Sequence, residues 1–323
     1  MPCGSLARRN APSAPNARTA APTTRPRLPR GARPKRQTLA SQEWANLPTA
    51  VRRAIEERTG AVAATVSPDN GRNSDFLATL QTAHGPCFVK GVLTGTRRAR
   101  AQQTEARVGA WPNSAAPRLL WEVTADGWQV LGFEAVTGHH PSLAPGSPDL
   151  PMVAETVAAM TRELTPSPVE LEQSTDQWAW SAPWRRLSKS DRELDSWDKD
   201  HLPELVDWER RGIEAVNGNS LVHGDLHPLN ILVSDRARIV DWAWSSIGAP
   251  WLDPAALVLR LTAEGHTPQQ AEEWANAIPA YRNAPADAVT AYAVLTFGMW
   301  AYRGAFPGLT DVARQYVRHR LGS

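Results

Sequence analysis

Residues 221–242 read LVHGDLHPLNILVSDRARIVDW, and they set two histidines, an asparagine and aspartates at 225 and 241 in a frame of strand-forming residues. Ile231, Leu232 and Val233 read as one short strand, Ser234 to Ala237 as a turn, and Arg238, Ile239 and Val240 as the returning strand. With the turn centred on Asp235 and Arg236, Asn230 falls opposite Asp241. Cross-strand partners have Cβ atoms about 4.5–5.5 Å apart, close enough for an amide oxygen and a carboxylate to share one divalent cation. Two hard oxygen ligands, with water and substrate oxygens completing the shell, suit Mg2+ held with a nucleotide. Asp225 precedes Asn230 on a loop that Pro228 stiffens, and is expected to face the same cleft as a proton acceptor or orienting group.

Upstream, QEWANLPTAVRRAIEERTG spaces Leu47, Val51 and Ile55 as one amphipathic helix that stops at Gly60. AVAATV, FLATLQT and CFVKGVL, separated by SPDNGRNSD and HGP, read as three strands in a meander. TRRARAQQTEARVGAW has helical propensity, and PRLLWEVTADGWQVLGFEAV reads as a hairpin turning at Ala125, Asp126 and Gly127. After Gly138 the texture becomes helical, with stretches expected at 151–164, 191–215, 253–264, 267–279 and 286–304.

HGDLHPLN followed by IVDW resembles the catalytic segment of the aminoglycoside phosphotransferase family, within the wider protein-kinase-like fold. The similarity covers about residues 41–323. It implies an α+β, bilobal fold: a small antiparallel-sheet lobe with one helix over 41–136, and a larger, mainly helical lobe over 137–323. By that resemblance Asp225 is the catalytic aspartate that receives the substrate hydroxyl proton, and Asn230 and Asp241 hold the metal. The fold also demands a lysine on the third strand and a glutamate on the following helix, and Lys90 in CFVK and Glu105 in QQTEAR stand in that order. LGFEAVTG resembles the hinge, where the carbonyl of Glu134 and the N–H of Val136 take the base. The Asp253 of WLDP resembles the aspartate that braces the catalytic loop. The implied reaction moves the γ-phosphoryl group of ATP or GTP, with Mg2+, to a hydroxyl of a small molecule, an aminoglycoside-like antibiotic or a metabolite.

The sequence also departs from protein kinases. SPDNGRNSDF carries one glycine, Gly71, where they have three, so phosphate contacts fall to Asn73 and Ser74. Asp241 is followed by Trp242 and Ala243 instead of Phe-Gly, and no activation segment follows, which points away from protein substrates. A catalytically inactive nucleotide- or ligand-binding module is the competing reading, opposed by the presence of all five polar groups. His223, Asp225 and His227 also spell a transition-metal pattern, but a metallohydrolase has no use for Lys90, Glu105 and Asn230. His223 and His227 therefore read as residues that fix the loop, and His139 and His140 as plain loop residues. The acid-rich stretch 191–209 is either a solvated helical face or a surface that attracts a cationic acceptor.

Composition sets the remaining bounds. Residues 1–40 hold nine of the 35 basic residues and no acid, which leaves 26 bases against 33 acids elsewhere. This Pro-, Ala- and Arg-rich tail has too few large apolar residues to offset the entropy of ordering and is expected to be disordered. No run of about 18 apolar residues occurs, so no membrane span is expected. Only Cys3 and Cys87 are present, which argues against a disulfide framework and fits a cytoplasmic protein. The expected partners are a nucleotide and a small hydroxylated acceptor, with no nucleic acid, membrane or obligate protein partner.

Overall fold

The computed structural model describes residues 43–68 and 74–322. The tail, Cys3, Gly71 and Asn73 lie outside the described residues. Helix α1 (Thr49–Thr59) buries Val51 and Ile55 completely. Five strands follow: β1 (Val62–Val66), β2 (Phe76–Thr82), β3 (Gly85–Leu93), β4 (Leu119–Ala125) and β5 (Trp128–Glu134), with α2 (Arg97–Gly109) between β3 and β4. They form one antiparallel sheet in the order β1-β2-β3-β5-β4. Strand alternation divides its faces. Phe76, Ala78, Leu80, Val89 and Val130 point to α1 and, with Leu47, Val51 and Ile55, make a small core. Leu77, Lys90 and Leu131 are cross-strand neighbours of the opposite parity, on the face from which Lys90 reaches α2. Helix α2 begins at Thr96, whose hydroxyl accepts from Ala99 N at 3.2 Å, and buries Ala99, Gln102, Glu105 and Val108 along one stripe.

The helical part comprises α3 (Asp149–Glu163), α4 (Ser174–Ser181), α5 (Pro183–Leu187), α6 (Ser196–Asp200), α7 (Leu202–Ala215), α8 (Leu252–Ala263), α9 (Pro268–Asn276), α10 (Pro279–Arg282), α11 (Ala286–Arg303) and α12 (Pro307–Leu321). Its core is the larger of the two and centres on α8 and α11, whose residues are buried almost all round. Two short hairpin-like ladders sit within it: β7 (Ile231–Val233) with β8 (Ala237–Ile239), and β6 (Ser220–Val222) with β9 (Ser246–Gly248). Among the described residues no helix is long and apolar enough to cross a membrane.

Several expected boundaries shift for local reasons. The stretch 191–215 is not one helix: Asp195 caps α6 by accepting from Trp197 N at 3.0 Å, and Pro203 occupies the first turn of a separate α7. Pro279 likewise divides 267–279 into α9 and the start of α10. Helices α4, α5 and α12 and strand β9 have no counterpart in the sequence reading. The register of the β7–β8 hairpin also differs by one: Ile231 pairs with Ile239 and Val233 with Ala237, because the loop holds three residues, Ser234 to Arg236. Asn230 is therefore opposite Val240, whose N–H donates to its carbonyl at 2.9 Å, and Asp241 lies one residue past the ladder.

Candidate active site

Asp241 adopts left-handed backbone angles, φ +65° and ψ +60°, a conformation that costs a non-glycine residue about 1–3 kcal/mol. The bend turns the chain off β8 and brings the carboxylate to the small-lobe sheet. Lys90 Nζ donates to Asp241 Oδ1 at 2.7 Å and to Glu105 Oε2 at 2.6 Å, so one ammonium joins β3, α2 and the residue after β8. Burial opposes the charge on Lys90, but the two carboxylates outweigh it and raise its pKa. Burial alone would also raise the Asp241 carboxyl, and the charge of Lys90 overcomes it and holds the group below its ordinary value. Glu105, fully buried, stays above the usual carboxylate range even beside Lys90. Ser74 is buried and borders the same narrow cavity as Lys90, Gln102, Glu105 and Ala243.

The loop between β6 and β7 is fixed from below. Asp253, in the first turn of α8, accepts from His223 N at 2.7 Å and Gly224 N at 3.0 Å. Gly224 has φ +77°, and a Cβ there would meet the Trp244 carbonyl oxygen at 2.6 Å, so only glycine lets the two segments pass. His223 is fully buried; Asp225 N donates to its Nδ1 at 3.3 Å and its Nε2 lies 3.0 Å from the Val240 carbonyl. Both ring nitrogens are thus engaged within the protein. Among the described residues no three His, Cys, Asp or Glu side chains gather as a metal cage, and His223 of the H-x-D-x-H pattern braces the loop. Trp242 buries its ring edge-on to His223 at 5.0 Å and donates Nε1 to the Ile239 carbonyl at 2.8 Å.

Asp225 itself is not tied down. Its side chain is 43% exposed, and His227 Nε2 is 3.8 Å from Oδ2. Burial raises its pKa, against the pull of His223 and Arg260. Asn230 donates Nδ2 to the Asp225 carbonyl at 2.9 Å, an arrangement that leaves its Oδ1 available as an acceptor. That oxygen and the Asp241 oxygen not bonded to Lys90 are hard donors of the type a Mg2+ ion takes.

The expected hinge runs from Glu134 to Gly138. Glu134 N donates to the Arg118 carbonyl at 2.9 Å, and its carboxylate meets Arg118 Nε at 3.4 Å and Arg238 Nη2 at 3.8 Å. Val136 is half-buried and follows the end of β5. A Cβ on Gly138 would meet the Val233 carbonyl oxygen at 2.6 Å, and His139 then exchanges backbone hydrogen bonds with Val233 at 3.0 and 2.8 Å. The chain leaving the hinge is thereby sewn to the β7–β8 hairpin. His139 and His140 are more than loop filler, because His139 Nε2 meets Asp149 Oδ1 at 3.2 Å and His140 Nδ1 meets the Ile231 carbonyl at 2.9 Å.

The structure brings Lys90, Glu105 and Asp241 into direct contact, joins Asn230 to Asp225, and leaves Glu134 and Val136 on the connecting segment. It adds residues that the motif reading missed. Arg260, Tyr292 and Trp300 lie on α8 and α11 near Asp225, and only the spacing of Arg260 two helical turns after Asp253 carried a signal for them.

A small antiparallel lobe with its helix, a helical lobe, and a lysine that reaches across to Asp241 just after the β7–β8 hairpin define the protein-kinase-like fold. The sequence model of the phosphotransferase enzyme family (APH) matches residues 69–287, well over half the chain, and the chain belongs to that family as a small-molecule kinase. Solved structures share the fold. Aminoglycoside phosphotransferase APH(4)-Ia, as a thermostable mutant in ternary complex with ADP and hygromycin B, is 13% identical with a TM-score of 0.57, covering 84% of this chain and 97% of that one. Aminoglycoside phosphotransferase from Alicyclobacillus acidocaldarius is 16% identical with a TM-score of 0.53, covering 85% and 94%. APH(3'')-Id from Streptomyces rimosus, in complex with ADP and streptomycin, is 19% identical with a TM-score of 0.54, covering 76% and 96%. No curated protein sequence matches the chain.

Proposed function

We propose that the chain works in the cytoplasm and transfers the γ-phosphoryl group of ATP or GTP to a hydroxyl of a small molecule, an aminoglycoside-like antibiotic or a metabolite. The observation that carries this reading is Lys90 Nζ at 2.6 Å from Glu105 and 2.7 Å from Asp241, a buried clamp of three elements set to receive a triphosphate. In this reading residues 41–136 hold the nucleotide and residues 137–323 supply catalysis and the acceptor pocket. Lys90, steadied by Glu105, takes the α- and β-phosphates, Ser74 lies beside them, and the Glu134 carbonyl and Val136 N–H take the base. Asn230 and Asp241 hold Mg2+, which when bound neutralises charge on the phosphate oxygens.

Asp225 accepts the acceptor's hydroxyl proton as its oxygen bonds to the γ-phosphorus and the bond to the β-phosphate oxygen breaks, releasing the diphosphate. Its burial-raised pKa makes it a better proton acceptor than a free carboxylate. Catalysis of this kind is positioning and electrostatic stabilisation, which suits side chains held by Asp253 and Lys90 before substrate arrives. The test is incubation of the purified chain with Mg·ATP or Mg·GTP and a panel of hydroxylated antibiotics and metabolites, read by mass for phosphorylated product. Product supports the reading. Nucleotide binding without product across a broad panel supports the inactive binding module.

A further inference from the structure

Helix α8 touches the catalytic loop through Asp253, and Arg260 stands seven residues later, two turns along the same face. Its guanidinium carbon lies 4.9 Å from the ring centroid of Trp300, which is 8% exposed. Among the described residues no carboxylate is in ion-pair contact with Arg260, and its side chain donates to no protein oxygen. Three other half-buried arginines are matched, Arg314 to Asp198 at 2.7 Å, Arg320 to Glu272 at 2.9 Å and Arg98 to Asp75, whereas Arg52 has only the Thr49 hydroxyl. Burial opposes the charge of this cation held on an aromatic face, and the negative charge that supports it is that of Asp225, acting through the field without an ion-pair contact.

The surroundings point the same way. Arg303, at the end of α11, adds a second positive charge to the field at Asp225. Burial and the positive charge of Arg260 keep His227 neutral at ordinary pH. Farther out, Tyr302 carries the guanidinium groups of Arg186 at 5.9 Å and Arg192 at 5.1 Å. Three of the eight acids of 191–209, the candidate attractor for a cationic acceptor, are engaged internally. Asp198 pairs with Arg314, Asp207 with Arg210 and Arg211, and Glu209 accepts from Trp184 N at 2.6 Å and Arg185 N at 3.1 Å.

We propose that Arg260 receives an anionic group of the acceptor, so that the substrate is a hydroxyl compound bearing a carboxylate, sulfate or phosphate, and not a polycationic sugar. This rests on the phosphotransferase reading above and narrows it. The guanidinium on Trp300 fixes the anion while the hydroxyl faces Asp225, and Arg260 and Arg303 offset the repulsion between that anion and Asp225.

The probe is sodium sulfate against sodium chloride at equal ionic strength, added to the full chain with and without Mg·AMP-PNP, with melting temperature as the readout. Sulfate raises the wild-type Tm by about 2 °C or more, Arg260→Gln loses the rise, and Arg260→Lys keeps part of it. An equal rise in wild type and Arg260→Gln, or none in either, overturns the proposal. The separate rise on Mg·AMP-PNP reports folding and the nucleotide site: its absence from wild type breaks the phosphotransferase reading, while the sulfate comparison still decides Arg260. In turnover, matched hydroxy acids and their amides should differ by at least about tenfold in kcat/KM, a ratio that Arg260→Gln collapses. Phosphorylation of streptomycin or hygromycin B with no preference for the acids would also overturn it.

Discussion

On the small-lobe side of the cleft, the ammonium of Lys90 is shared by Glu105 and Asp241 at hydrogen-bond distance, and all three groups are largely out of water. Across the cleft, Asp225 has a side chain 43% exposed, its neighbour His227 is neutral, and Arg260 rests on Trp300 without an acid in contact. The first arrangement is finished before any ligand arrives, as suits a triphosphate common to a whole family. The second leaves charges unspent for a ligand to complete. Under the proposed function, preorganisation and open valence divide the site between what is constant in the reaction and what is particular to the acceptor.

The sharpest break of that contrast is Asp225→Ala. It should lower kcat by about 10²–10⁴-fold while Mg·AMP-PNP affinity, measured by calorimetry, stays close to wild type. Retention of wild-type transfer would remove Asp225 from its role. Lys90→Met probes the opposite side and should cost stability as well as nucleotide binding. It leaves Glu105 and Asp241 facing each other without a cation, a loss of about 3–5 kcal/mol in urea unfolding. Adding Glu105→Leu should restore much of that stability without restoring nucleotide binding. A single variant as stable as wild type would show that the clamp is not the buried, mutually dependent unit described.

The same contrast explains what the sequence disclosed. The clamp was legible because its members are few, of fixed type and in fixed order: Lys90 on a strand, Glu105 on the next helix, and Asp241 just after a hairpin. The strands of the small sheet alternate cleanly and were readable for the same local reason. The hairpin register was not, since Ser234, Asp235 and Arg236 suit either a two- or a three-residue turn and one residue's difference leaves no trace in composition. Helices α4 and α5 were hidden by the Ala182–Pro183 break and by short length, and β9 by being three residues held only by distant segments, β6 and the chain around Gln173. The α8–α11 side stayed silent because Arg260, Tyr292 and Trp300 converge through helix packing, which a linear pattern does not encode. The acidic stretch was legible only as charge, since the partners of Asp198 and Glu209 lie far away in sequence or in another helix.

The smallest expected effect tests whether the acceptor side is governed by burial and Arg260, as its open charges imply. Burial first, then the positive charge of Arg260, push His227 down from 6.5 to about 4. In the unfolded chain the imidazole takes a proton near pH 6.5, which the folded protein refuses until about pH 4, so protonation favours unfolding throughout that window. The stabilising contribution is complete above pH 6.5 and is lost as pH falls toward 4, by up to about 3 kcal/mol. Urea midpoints of wild type should therefore fall more steeply across this range than those of His227→Gln. Arg260→Gln should shorten the window from below, because removing the neighbouring cation lets folded His227 accept its proton at higher pH. Parallel curves for wild type and His227→Gln would mean that the imidazole is solvated in the native protein, and that the charges around Asp225 are far better screened than the packing of α8 and α11 implies.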